Sequence, residues 1–472
     1  MSETYSAEPP ATRGPGLLAR LGASRSLSII GKLFFIGIVI YLLLAAISMV
    51  RALVFEREHR ADEVASEIAK LWGQPQFIRG PVLAVPFGVA GELPGAEYAT
   101  IQGMAYFLPS TLDIHGTLEP EIRRRGLFDT AVYTLNAQVR GEFPTPGVGA
   151  LRGLVPNPDE VILVWERARM LVGLSDLRGM RSNTVLTLGG RDFAFRPGAQ
   201  HFVVTSQGMN ADVSTLFTDG NTDSASTLPF SFAIELNGSR RARIAPFADE
   251  TKVSLTSSWP SPSFEGEFLP IEHSISDEGF EADWHVSHFA RGFTNVLVST
   301  GLNQEMRQKI SNATFGVSLY QPVTPYRKVQ RAIKYGLLFL VFTFGFYFLV
   351  ELATRQPIHP IQYATVGIPL CLFFLLLVAF AEHLGFAVAY AAGTAAVVSL
   401  VAFYSYRMLR SAKRTILITA LLSGMYAFLY SLLELESYSL LSGAIGLWVL
   451  TAIFMFVTRR INWYGTEEKA HA

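Results

Sequence analysis

Residues 361–381, IQYATVGIPLCLFFLLLVAFA, and residues 384–406, LGFAVAYAAGTAAVVSLVAFYSY, carry no formal charge, and only Glu382 and His383 separate them. An apolar helix of about 20 residues spans the hydrocarbon core of a bilayer. Three further runs flank this pair: Leu337–Val350 before it, Thr415–Leu433 and Ser437–Thr458 after it. The first reaches full length only by taking in Glu351 and Leu352. Five such runs in succession, from about Lys334 to Tyr464, mark an integral membrane protein. A sixth run, Leu33–Val50, lies near the N-terminus behind Arg13, Arg20, Arg25 and Lys32. It is too long for a usual signal-peptide core, and Arg51 follows it without a small-residue cleavage site, so it reads as an uncleaved signal anchor.

The 472 residues include 39 basic and 39 acidic side chains, and the mean hydropathy is +0.30. Zero formal charge argues against a nucleic-acid partner, which selects for basic surfaces. The single cysteine, Cys371, lies inside an apolar run, so no intramolecular disulfide supports any domain. The intermediate hydropathy fits a membrane part joined to a large water-soluble part.

That soluble part follows the anchor. Ala52–Trp72 reads as a helix continuing out of the membrane, with Val64, Ile68, Leu71 and Trp72 on one face and Gly73 and Pro75 ending it. From Phe77 to Tyr320 the pattern changes to about ten short strands: Pro81–Phe87, Met104–Leu108, Ala131–Val139, Val161–Trp165, Thr184–Leu188, His201–Thr205, Phe230–Leu236, Lys252–Ser257, Glu281–Val286 and Thr314–Tyr320. Turn chemistry separates them, including Pro156-Asn157-Pro158-Asp159 and Gly189-Gly190-Arg191-Asp192. Asn237-Gly238 reads as the turn of a hairpin joining Phe230–Leu236 to Arg241–Ile244. The expected fold is membrane α-helical, with six transmembrane helices, plus a large all-β, sandwich-like periplasmic domain. The boundaries are a flexible tail at 1–28, the anchor at 29–51, a helix and then mainly β at 52–331, a five-helix bundle at 332–464 and a short tail at 465–472. Tyr326–Tyr335 is expected to lead into the second span as helix.

Basic residues near span ends set orientation. Arg355, then Arg407, Arg410, Lys413 and Arg414, then Arg459 and Arg460 follow alternate spans, whereas Glu382, Glu434 and Glu436 occupy the other breaks. Six spans therefore put both termini in the cytoplasm and the β domain outside. Arg327, Lys328, Arg331 and Lys334 then lie on the outer side, an exception allowed beside a long translocated domain.

Few residues suggest a site. His285 and His288 are offset by three on an expected strand, which sends them to opposite faces, so no metal or cofactor is expected. No metalloprotease, phosphate-loop, serine-hydrolase or dinucleotide motif occurs in a suitable context, and no enzyme is expected. Trp259-Pro260-Ser261-Pro262-Ser263-Phe264 is stiffened by two prolines and should leave a sheet edge; Trp259 and Phe264 either plug the core or form a partner surface. At the outer level of the spans, Glu382, His383, Glu434 and Glu436 form a polar ring level with Arg327, Arg331 and Lys334. These charges either sit solvated among head groups or pair to couple domain and bundle. Thr343, Thr394, Ser423, Tyr426 and Tyr430 lie within spans, where hydroxyls bond across helices. Rows of small residues (Ala387, Ala391 and Ala395; Ala389 and Gly393; Ser442, Gly443 and Gly446) allow close helix packing or a homo-oligomer.

Several stretches resemble one family. They are Leu255-Thr-Ser-Ser-Trp-Pro-Ser-Pro-Ser-Phe264, Gly266-Glu-Phe-Leu-Pro270, Gly279-Phe-Glu-Ala-Asp-Trp284, His359-Pro-Ile-Gln-Tyr363, Ala381-Glu-His-Leu-Gly-Phe386 and Val457-Thr-Arg-Arg-Ile-Asn-Trp-Tyr464. Together they closely resemble the CreD family of bacterial inner-membrane proteins. The similarity is specific from about Lys252 to Tyr464, extends to the anchor and Gly80-Pro81, and is loose between about Gly91 and Asp249. The resemblance implies a role in cell-envelope integrity, expression under a two-component stress system, and links to colicin tolerance and β-lactam response. It supplies no catalytic residue. The expected function is envelope integrity or stress response through binding of envelope proteins or cell-wall components by the periplasmic domain. The alternative is a multi-span transporter or channel with a periplasmic gating or substrate-capture domain, and an envelope enzyme ranks third.

Overall fold

The computed structural model describes residues 25–89, 100–155, 160–199, 207–218, 227–319, 325–354, 357–434 and 439–459. The expected strand His201–Thr205, the turn at 156–159, Arg355, Glu436, Arg460, residues 1–24 of the first tail and the whole of the second lie outside the described residues, whereas residues 25–28, expected in the first tail, already belong to a helix. The chain divides into two compact units, Arg60–Pro322 and Met1–His59 with Val323–Ala472. Helix α1 (Arg25–Trp72) contributes residues to both.

The first unit is built on two sheets. Its strands begin with β1 (Gln76–Val89), β2 (Thr100–Phe107), β3 (Thr111–Arg125), β4 (Phe128–Pro144), β5 (Val161–Leu163) and β6 (Arg169–Leu174). Next come β7 (Val185–Leu188), β8 (Arg191–Ala194), β9 (Arg196–Pro197), β10 (Gly208–Asp212), β11 (Thr227–Ser239) and β12 (Arg241–Ile244). The last are β13 (Glu250–Ser257), β14 (Pro262–Gly266), β15 (Glu272–Ser276), β16 (Gly279–Ser287), β17 (Val296–Val298) and β18 (Phe315–Leu319). Among the described residues three short α-helices interrupt them: α2 (Ser214–Thr218), α3 (His288–Arg291) and α4 (Gln304–Asn312). One sheet runs β14-β18-β12-β1-β6-β10-β9, with β2 and β5 also on β1, and β17 on β2. The other runs β15-β16-β13-β3-β4-β11-β7-β8. Both are mixed, because β1 pairs with β12 and β13 pairs with β3 in parallel.

Alternation builds the core between the sheets. Val253 and Leu255 of β13, Phe280, Ala282, Trp284 and Val286 of β16, and Phe230, Phe232, Ile234 and Leu236 of β11 all join one apolar cluster. From Pro81 on, strand β1 reads as an unbroken apolar run because it is covered on both sides. Leu83, Val85 and Phe87 enter the main core, whereas Val82 and Ala84 join a second cluster with Phe247, Phe293 and Ile310 of α4. On the other sheet, Val64 and Ile68 of α1 pack against Val132 of β4, with Trp72 and Phe128 beside them. The Trp72 indole N–H donates to the Tyr133 carbonyl at 3.2 Å. Ala65 and Ala69 complete the covered face, whereas Leu71, expected there, is 83% exposed.

Two polar pins hold the loops of this unit. The buried Arg291 guanidinium donates to the carbonyls of Ala248 (2.6 Å) and Phe293 (3.1 Å) and to Asn295. Burial pulls its pKa down to about 10, against the opposing pull of Asp249. Asp176 accepts from the backbone N–H of Gln74 and Arg178 and from the Arg178 side chain. Burial works against its charge, but these donors prevail and hold the carboxyl below the usual carboxylate range.

The structure overturns the hairpin expected at Asn237-Gly238. Both residues lie inside β11, which pairs with β4 up to Ser239↔Val132. Strand β12 belongs to the opposite sheet, between β1 and β18. Gly238 serves close packing, since a Cβ there would meet the Tyr133 ring. The chain changes sheets at Arg240, which takes a left-handed φ of 58°. Strand β3 is not among the expected strands; its outer half, Glu119–Arg125, is largely polar and exposed, and it is held by pairing with β4 around a turn at Gly126, φ 64°. His285 lies on β16, but His288 opens helix α3 and is not on the strand.

In the second unit, α1 is followed by α5 (Pro325–Lys334), α6 (Gly336–Thr354), α7 (Pro360–Leu384), α8 (Phe386–Leu409), α9 (Ala412–Glu434) and α10 (Ser439–Thr458). Among the described residues, four helices (α1, α7, α8 and α9) are long and apolar enough to cross a membrane, and α5 with α6, bent by 43°, makes a fifth if taken as one span. This supports a membrane protein with a large β-sheet domain. Gly367 brings α7 close to α1 and α6, since a Cβ there would meet Leu43 and Phe344. The Tyr390 hydroxyl donates to the Tyr426 carbonyl at 2.7 Å, within a group of rings that includes Phe339 and Phe373. The small-residue rows of α8 divide: Ala389 and Gly393 are buried, whereas Ala387, Ala391 and Ala395 are exposed. Hydroxyl bonding across helices is only partial. The Thr343, Thr394 and Tyr426 hydroxyls are buried with no hydrogen-bond partner among the described residues.

Candidate functional site

Two places gather the side chains singled out from the sequence. The first is a sheet edge in the β unit. The two prolines leave Pro262–Gly266 as β14, which ends the ten-stranded sheet and pairs only with β18 among the described residues. Trp259 and Phe264 are half-buried and pack against the main core. The Trp259 indole N–H donates to the Ser261 carbonyl at 3.1 Å. The Phe264 ring meets Phe280, Trp284 and His273 edge-on, with centroids 5.9, 5.7 and 5.4 Å away.

His273 belongs to β15, which ends the eight-stranded sheet. The edges of both sheets thus come together, joined by the contact of Phe264 with His273. Every residue of β15 is exposed. Leu269 and Ile271 just before it, and Ile275 within it, are 70%, 65% and 49% exposed. A shallow groove of about 580 Å³ crosses this sheet from β3 through β13 and β16 to β15, lined by Thr117, Thr256, Ser274, Ser276, Glu278 and Glu281 among others. Apolar side chains, hydroxyls and carboxylates on an open edge are suited to holding a ligand by contact; no metal-ligating group of three or more side chains occurs among the described residues.

The second place is in the helical unit, around α5. Glu382, in the last turn of α7, accepts a hydrogen bond from the Tyr326 hydroxyl at 3.0 Å and lies 3.8 Å from Arg57 of α1. Glu434, at the end of α9, pairs with Lys328 at 2.9 Å, and that ammonium also sits 5.1 Å from the centre of the Phe386 ring. Arg331 donates to the Leu432 carbonyl at 3.0 Å, where the last turn of α9 leaves acceptors unused. Gln330 donates to Glu58 at 2.6 Å. Arg327, Lys334 and His383 are exposed, and Glu436 lies outside the described residues. Lys328 thus meets the ring carboxylate Glu434, Arg57 of α1 is the cation near Glu382, and Arg331 meets a backbone carbonyl instead.

Sequence reasoning missed a further cluster. Lys32 of α1 forms an ion pair with Glu351 of α6 and donates to the Ile358 carbonyl. The Tyr363 hydroxyl of α7 donates to the same carboxylate at 2.9 Å. The signal was present: Lys32 borders one apolar run and Glu351 closes another, and opposite charges at apolar boundaries tend to be paired.

The sequence profile of the family described as “Inner membrane protein CreD” matches residues 28–464. The Escherichia coli (strain K12) protein described as “Inner membrane protein CreD” is 28% identical over 432 residues, covering 90% of this chain and 91% of that protein.

Proposed function

This chain belongs to the CreD family of inner membrane proteins, and from that premise we propose that it is an envelope-integrity and stress-response factor acting by binding, not by catalysis. Its β unit faces the periplasm and engages envelope proteins or cell-wall components. Six spans anchor it: α1, the bent pair α5–α6, and α7 to α10, with both termini in the cytoplasm. The observation that carries the reading is the exposed edge at β14 and β15, where Leu269, Ile271 and Ile275 stand in solvent beside carboxylates. In-cell photo-crosslinking tests it. A photoreactive residue at Ile271 should capture a defined envelope component, and one in the β3–β4 turn at Gly126 should not. Absence of capture from every exposed position of the β unit would overturn the binding reading. Topology is tested separately. A reporter fused after Arg410 should read cytoplasmic, and one inserted at Gly126 periplasmic.

One observation favours a second reading. Lys32, Glu351 and Tyr363 form a charged network among apolar helices, and ionisable groups in such places often serve transport. Ion or solute flux through the purified protein in liposomes, abolished by Glu351→Gln, would establish a transporter or channel instead.

A further inference from the structure

We propose that the free edge of β15 takes up an extended polypeptide segment in which basic and apolar residues alternate, adding it to the eight-stranded sheet as a further strand. This rests on the binding reading above and specifies the partner's chemistry. Strand β15 is paired to β16 on one side only among the described residues, and its other side presents unpaired backbone donors and acceptors. Such an edge is completed by a strand from a partner, with main-chain hydrogen bonds supplying affinity and alternate side chains supplying selectivity.

The register fixes which side chains that strand would meet. Residues directly opposite in an antiparallel pair share a face. His273 and Ile275 lie opposite Ala282 and Phe280, which are buried, so they are on the core side. Glu272 and Ser274 lie opposite Asp283 and Glu281, on the outer side. Ile275 stays half exposed although it is on the core side, because β15 ends the sheet and no strand covers its free flank among the described residues. An added strand would cover it with every second residue and turn the others to the outer face, beside Glu272 and Ser274, with Glu281 one strand further in and within reach of a long basic side chain.

Charge decides the identity of those others. Between Val253 and Ala290 the chain has Glu265, Glu267, Glu272, Asp277, Glu278, Glu281 and Asp283 but no Lys or Arg. Glu265 is paired with Arg241 and Arg243. Glu272, Asp277, Glu278 and Glu281 form no ion pair among the described residues, and Glu278 and Glu281 line the groove that crosses the sheet to β15. Lysine or arginine at alternate positions would neutralise this surface. A second copy of the chain fits poorly, because joining β15 to β15 would bring two acidic edges together.

The test uses the full-length protein in nanodiscs and three synthetic nine-residue peptides: alternating Lys and Val, alternating Glu and Val, and the Lys–Val composition with its alternation scrambled. The alternating Lys–Val peptide should bind, and its isotope-labelled amide band should shift to the strand position. Binding should weaken as salt rises. The double variant Glu272→Lys, Glu281→Lys should lose about tenfold or more in affinity for the Lys–Val peptide, equivalent to 1.4 kcal/mol, and gain affinity for the Glu–Val peptide. Equal binding of the three peptides, no strand signal, or an unchanged preference in the double variant would overturn the proposal. So would in-cell crosslinking that captures a partner elsewhere on the β unit but not at Ile271; the general binding reading would survive that result.

Discussion

Lys32 and Glu351 form an ion pair across 319 positions of the chain, and Tyr363 holds the same carboxylate. The N-terminal helix is therefore fastened to α6 and α7 rather than serving as a tether alone. The lysine and glutamate side chains are only 16% and 14% exposed. At that burial, removing one partner strands the other in a poorly solvated place, whereas replacing both by apolar groups does not.

Lys32→Met alone is expected to lower the stability of the detergent-solubilised protein by about 1–3 kcal/mol, somewhat less than for a fully buried pair. The double variant Lys32→Met, Glu351→Met should recover most of that loss. Thermal unfolding followed by a core tryptophan signal would measure it. A double variant no better than the sum of the two single changes would rule out the pairing.

The contacts around α5 should rank by burial. Lys328→Ala removes an exposed pair with Glu434 and should shift stability by no more than about 1 kcal/mol, less at high salt. Tyr326→Phe removes the hydroxyl that serves the half-buried Glu382 and should cost about 1–2 kcal/mol at any salt concentration. Equal, salt-dependent losses for both would contradict this order.

Gly238→Ala tests how β11 passes Tyr133. The ring cannot yield freely, because its hydroxyl donates to the Arg241 carbonyl at 2.6 Å. The added methyl should destabilise the β unit by about 1–3 kcal/mol, as overpacking does. Protease resistance of the β unit in the full-length protein would report it. Had Asn237-Gly238 been a solvent-exposed hairpin turn, the same change would act by backbone strain and leave Tyr133 fluorescence unaltered.

Asp176 should make stability depend on pH in a defined direction. Its folded carboxyl titrates below the unfolded value of about 3.9. The charged form is thus favoured in the fold. The gain is fully present above the unfolded pKa and is lost as pH falls through the folded pKa. Asp176→Asn should therefore be less stable than the parent at neutral pH, and the gap should narrow below about pH 4. Denaturant unfolding at several pH values would show this. A gap that widens on acidification would reverse the assignment.

The sequence alone determined the existence of the long apolar helices, because a charge-free run such as 361–381 has no other stable environment. It also determined the β character of the first unit and the strands whose pattern is local, such as β13 and β16, where alternate residues enter one core. Trp259 and Phe264 were legible as residues worth attention, since prolines around aromatics disturb a sheet. Only tertiary structure decided which strands are neighbours. Pairing is non-local, and β12 leaves its neighbour in sequence, β11, to join β1 in the other sheet. The partners of Glu382 and Glu434 were likewise undecided, since four cations on one helix look alike until the packing of α5 turns Lys328 and Tyr326 toward them. The open edge at β15 was hidden for the same reason: whether a strand ends a sheet depends on what the rest of the chain places beside it.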